Sequence, residues 1–137
     1  MEQIDDIASH ILALEQNALE RWGKGDPDAY LEITADDVSY FDPFLNRRLD
    51  GKESLKKWYS AYRGKMGLSF EAIAQPRVQL MGDCAILTMQ FLSRGSVGPA
   101  RWNCTEIYQQ RGDRWLIVHT HWSPTRPPLT VPQRIAN

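Results

Sequence analysis

The sequence predicts an α+β domain in which helices gathered in the first half are wrapped by a curved antiparallel sheet built from the second half. Two observations carry that expectation. Apolar residues recur at three-four spacing before residue 64, and from Leu68 onward β-prone runs alternate with turn signals. Length supplies a third, since 137 residues suit one domain with one core. We expect a single domain over 1–137, with 124–137 a proline-rich tail.

Each element has its own signature. Ile4, Ile7, Ile11, Leu14, Ala18, Leu19 and Trp22 mark one face of a long helix, which Gly23 and Gly25 end. Asp26 before Pro27 supplies an N-cap and a first-turn proline, so a short helix is expected over 28–34, burying Tyr30 and Ile33. "DDVSYFDP" reads as a strand stopped by Pro43. Leu55, Trp58, Tyr59 and Tyr62 recur at helical spacing, giving a third helix over about 52–63. Turn signals at Gly82-Asp83, "RGSVGP" and Gly112-Asp113 then divide four antiparallel strands, about 68–81, 84–94, 99–111 and 114–122. The run "SPTRPPLTVPQ" is too rich in proline to continue a sheet.

Composition narrows the function classes. Lys+Arg number 16 against Asp+Glu 17, without a long basic run, so nothing favours nucleic acid or an anionic membrane. The start "MEQIDDIASHIL" is acidic where a signal peptide is basic, and no apolar run approaches a bilayer span. A cytoplasmic protein is expected, with Cys84 and Cys104 as free thiols. "RGD" at 111–113 is read as a hairpin turn, and "NCT" at Asn103 as a glycosylation match without the compartment.

The stretch "GDRWLIVHTHWSP" crowds Trp115, His119, His121 and Trp122 into one strand. Strict alternation puts Trp115, Ile117, His119 and His121 on one side and Leu116, Val118, Thr120 and Trp122 on the other. Both sides are substantially apolar, and the helices can cover only one. A second copy of the sheet would cover the other, so a homodimer is expected. Two histidines fall short of a metal site, which needs at least a third ligand, and no metal is expected. His119 is instead an acid-base candidate against a structural or interface role. Asp42 is a candidate general base, and its plain alternative is a strand-end carboxylate that caps the loop before Pro43. Glu106 lies in mid-strand, as a pocket group or as one half of an ion pair with Arg101.

The order of elements, with "GDPDAYLEITADDVSYFDP", "LDGKESLKKWY" and "GDRWLIVHTHWSP", resembles the nuclear transport factor 2-like, cystatin-like superfamily. Among its members the chain looks most like the association, or hub, domain of calcium/calmodulin-dependent protein kinase II and SnoaL-like relatives. The resemblance implies a cone-shaped fold, a pocket between helices and sheet, and self-assembly as a dimer, with higher oligomers left open. In the hub three arginines line that pocket; the corresponding positions here are Phe91, Glu106 and Trp122. What remains is an aromatic cavity with one carboxylate, suited to a neutral, planar or cationic small molecule. Its expected wall is Tyr30, Tyr40, Asp42, Trp58, Tyr62, Phe91, Trp102, Glu106 and Trp122. The register of the last hairpin decides what faces Glu106: His119 after a two-residue turn, Val118 after a bulged one. Three classes of function remain. One is a small-molecule-binding or assembly module. Another is a ketosteroid-isomerase-like or SnoaL-like enzyme, in which Asp42 or His119 moves a proton and Tyr40 or Tyr62 supports an oxyanion. The third is a purely structural oligomer. No cofactor is expected in any of them.

Overall fold

The computed structural model describes residues 2–61, 63, 64, 69–95 and 98–125. The first helix, α1 (Glu2–Gly23), buries Ile11, Glu15, Ala18 and Leu19 along one stripe. Gly25 turns the chain with φ +86°, its carbonyl accepts the Gly64 N–H at 2.9 Å, and a Cβ there would lie 2.8 Å from the Gly64 Cα. That close approach ties the corner after α1 to the chain beyond the third helix. Asp26 acts as the expected cap, accepting the Asp28 N–H at 3.1 Å.

The second helix, α2 (Asp28–Glu32), is shorter than the expected 28–34. Two competing bonds stop it. The Thr34 hydroxyl donates to the Tyr30 carbonyl at 2.6 Å, and the Ile33 carbonyl accepts the Ile117 N–H at 2.8 Å, drawing the chain into the sheet. β1 (Thr34–Phe41) follows, then the two-residue β2 (Leu49–Asp50) and α3 (Lys52–Ser60), which buries Leu55 and Tyr59. The third helix ends before the expected Arg63, whose guanidinium pairs with Asp28 at 2.6 Å. Tyr62 lies outside the described residues.

β3 (Ser69–Met81), β4 (Cys84–Gly95), β5 (Gly98–Arg111) and β6 (Arg114–Pro124) form the expected antiparallel series. The six strands make one curved, unclosed sheet in the order β2-β1-β6-β5-β4-β3, with β1 parallel to β6. The last strand runs two residues past the expected end: Trp102 faces Pro124, and the Thr125 N–H still reaches the Arg101 carbonyl at 3.0 Å. No described helix is long and apolar enough to cross a membrane.

Strict alternation fails on β6, and this is the main correction to the sequence reading. The turn at Gly112-Asp113 is the two-residue kind, with Arg111 opposite Arg114 and Gly112 at φ +66°. A bulge then intervenes, because Tyr108 pairs with Ile117 while Ile107 pairs with His119, leaving Val118 over. The inward side therefore changes parity. Trp115, Ile117, Thr120 and Trp122 face the helices, while His119 and His121 face away with Phe41 and Ser39. Thr120 stands opposite Glu106, where neither His119 nor Val118 does.

Ala85, Leu87, Met89 and Phe91 of β4, with Cys104, Glu106 and Tyr108 of β5, complete the inner face. They pack against Ile11, Leu19, Tyr30, Leu55 and Tyr59 from the helices. Removing these side chains from water, at about 25 cal/mol per Å² of apolar surface, drives the sheet to wrap the helices.

Candidate functional site

The wrapped sheet leaves a cavity of about 110 Å³ between α1, α3 and the ends of β4–β6. Leu19, Trp22, Tyr30, Tyr40, Asp42, Pro43, Phe44, Tyr59, Phe91, Trp102 and Trp122 line it. The rings meet edge to face: Trp102 and Trp122 at 86°, Phe91 and Trp122 at 74°, Tyr40 and Tyr59 at 86°, Trp22 and Tyr59 at 68°. Such crossings turn flat rings into the walls of a box. Phe44 forms the outer rim, 66% exposed, with its ring centroid 6.2 Å from that of Trp102.

Asp42 is the one acid in this wall among the described residues. Its Oδ2 accepts from the Tyr40 hydroxyl and the Trp58 indole N–H, each at 2.9 Å, and its Oδ1 accepts the Phe44 N–H at 2.8 Å. The last of these is the loop-capping bond that aspartate before a turn makes. Three of the roughly four acceptor sites of Asp42 are thus taken, two on Oδ2 and one on Oδ1. Burial, then neighbouring Tyr59 and Asp42, hold the Tyr40 hydroxyl well above the usual phenol range, so it stays a donor.

Beneath the aromatic box lie two fully buried carboxyls that pair with no cation among the described residues. Glu15 accepts hydrogen bonds from the Tyr30 hydroxyl and, at 2.8 Å, from the Tyr108 hydroxyl. Burial raises it to about 7 against the lowering effect of those bonds. Glu106 accepts from the Thr120 hydroxyl at 2.5 Å and faces the Cys104 thiol at 3.6 Å. Burial first, and the charge of Glu15 second, push Glu106 well above the carboxylate range. Tyr30 joins the two layers, its ring in the cavity wall and its hydroxyl on Glu15.

The structure thus brings together Tyr30, Tyr40, Asp42, Phe91, Trp102 and Trp122 of the expected wall. Trp58 stands behind Asp42 as its donor, and Glu106 is an inward, buried group below the box with Thr120 and not Arg101 as its partner. His119 lies on the opposite face of the sheet, its Nδ1 2.7 Å from the Ser39 hydroxyl, so the acid-base reading of this histidine fails for the cavity. Burial and the neighbouring His121 lower its pKa. Sequence reasoning missed Trp22, Phe44, Tyr59, Tyr108 and, above all, Glu15. The signal for Glu15 is in the helix: it falls four residues after Ile11 and four before Leu19, an acid on the apolar stripe itself.

N-terminal helices held in a curved, unclosed sheet over a lined cavity define the nuclear transport factor 2-like, cystatin-like class of α+β proteins. Within that class the chain belongs to the calcium/calmodulin dependent protein kinase II association domain family, whose model matches residues 8–126. A protein of Parabacteroides distasonis ATCC 8503, described provisionally as a ketosteroid isomerase, is similar at 35% identity over 85% of this chain and 86% of its own, with a TM-score of 0.75. The S. rosetta CaMKII hub shares the fold at 24% identity, over 84% of this chain and 94% of the hub, TM-score 0.70. An NTF2-like protein of unknown function from Pseudomonas putida KT2440 shares it at 22% identity, over 87% of each chain, TM-score 0.78. No curated protein sequence matches the chain.

Proposed function

We propose that the chain is a single, self-associating domain that takes one small, largely apolar organic molecule into its aromatic cavity. The cavity itself carries this reading: eight of the eleven side chains around it are aromatic. Natural ligand sites are mostly apolar, with a few placed polar groups, and here Asp42 at the wall supplies the polar one. Its volume of about 110 Å³ suits one ring or a branched head of similar bulk, for a dry cavity of about 150 Å³ holds benzene. Self-association is supported by membership of an association-domain family, and the sheet face opposite the helices is the surface we assign to it. Leu116, Val118, Ile86 and Ile107 lie only half-buried on that face.

One observation favours acid-base catalysis as a second reading, the Tyr40–Asp42 hydrogen bond at the cavity wall. The three donors already on Asp42 weigh against it.

A thermal-shift screen of small aromatic, aliphatic and amine compounds tests the binding reading, since only a ligand of the native state raises the melting temperature. Quenching of tryptophan emission by the same compound would place it against Trp22, Trp102 or Trp122. A screen in which no compound shifts melting leaves the purely structural reading standing. Light scattering at micromolar concentration tests self-association, and a monomer mass rejects it.

A further inference from the structure

We propose that the cavity is a site for an alkylated ammonium cation, a quaternary or methylated amine head, and the assignment rests on the cavity reading above. Three features of the wall carry it together.

The first is the crossing of the rings. Trp102 and Trp122 stand at 86°, Phe91 and Trp122 at 74°, and Tyr30 joins them in the lining, so a guest in the box is surrounded by rings lying in crossed planes. Each aromatic face carries the negative lobe of a quadrupole. A diffuse, weakly hydrated cation exploits many faces at once, whereas a flat neutral ring stacks on one or two.

The second is charge. Asp42 contributes the only carboxyl among the described wall residues, and no Lys, Arg or His stands there with it. The bonds from Tyr40, Trp58 and Phe44 hold its carboxylate in place and leave it a fixed negative centre. An anionic guest meets that carboxylate and the ring faces with no compensating cation. A strongly hydrated primary ammonium would lose water for which the rings supply no hydrogen-bond acceptors; methyl groups remove that cost.

The third is size. A volume of about 110 Å³ takes a trimethylammonium head and leaves the remainder of a longer molecule to pass the exposed Phe44 rim.

The test pairs choline with 3,3-dimethyl-1-butanol, its uncharged carbon isostere of the same shape, in calorimetric titrations of the full chain at low salt. Choline should bind at least tenfold tighter than the isostere. Phe44→Leu, on the exposed rim where folding is not at stake, and Trp122→Leu should each weaken choline severalfold while changing the isostere by less than twofold. Equal or tighter binding of the isostere overturns the ammonium assignment and leaves the cavity as a ligand site. Silence from both, with binding by a neutral aromatic compound, does the same. Silence from every compound overturns the ammonium assignment and the cavity reading together.

Discussion

Replacing Glu15 by glutamine should flatten much of the dependence of stability on pH. Glu15 is wholly buried, and its carboxyl sits at about 7 in the folded chain against 4.5 as the unperturbed value. Between those values the folded state holds a proton that the unfolded state has released, so stability is greatest below pH 4.5 and falls as pH rises through 7. At about 1.4 kcal/mol per decade the whole effect is roughly 3 kcal/mol, of which about 2.5 kcal/mol falls between pH 5 and 8. An unfolding entropy of about 2.1 cal/mol/K per residue converts this, for 137 residues, into a fall in Tm of roughly 9 °C. Other groups titrate over the same range. His119 works the opposite way, because its lowered pKa costs stability as pH falls, and the raised pKa of Glu106 adds a loss of the same sign as Glu15 when pH rises. The readout is therefore the difference in slope between wild type and Glu15→Gln, melted at one protein concentration from pH 5 to 8. Glutamine keeps one acceptor for Tyr30 or Tyr108 and introduces a pH-independent cost, which shifts the curve without tilting it. Equal slopes in the two proteins would refute the assignment of the proton to Glu15.

Gly25→Ala should destabilise the fold by about 1–3 kcal/mol, because φ +86° is strained for any side chain and the new Cβ meets the Gly64 backbone; urea unfolding measures it. Thr120→Val removes the hydroxyl that Glu106 accepts and leaves that buried acid short of a donor, at a cost of about 1–3 kcal/mol by the same assay. Arg111→Ala breaks an exposed, solvent-screened pair with Asp37 and should leave the urea midpoint nearly unchanged, with any difference vanishing at high salt. Deleting Val118 should leave the fold and its native near-ultraviolet dichroism in place, since without the bulge residue the pairs Tyr108–Ile117 and Ile107–His119 follow one another as a regular ladder with Thr120 and Trp122 still inward; loss of that dichroism would refute the bulge reading.

Much of the cavity could be read in advance because its residues sit on elements whose period is local. Phe91 and Trp102 face each other across β4 and β5 at the register that alternation implies, and Tyr40 follows Val38 inward on β1. Glu15 was legible in principle, since helical period alone puts it between Ile11 and Leu19, but an acid on an apolar stripe is read as a break in the pattern until something is found to bury it. Helix existence, strand order in the β3–β6 series and the α+β class were determined by the sequence itself, through spacing of apolar residues and the placing of Gly, Pro and Asp at turns. Tertiary structure decided the rest. The parallel seat of β1 beside β6 joins residues such as Ser39 and His119, eighty positions apart, and no local pattern encodes so distant a neighbour. The bulge at Val118 arises because Trp115 and Ile117 must face the helices at one end of β6 while Thr120 meets Glu106 at the other, and a strand with one extra residue is the way to satisfy both. The raised pKa values of Glu15 and Glu106 were likewise beyond sequence, because they depend on complete removal from water, which only the closed packing of α1, α2 and the sheet around them supplies.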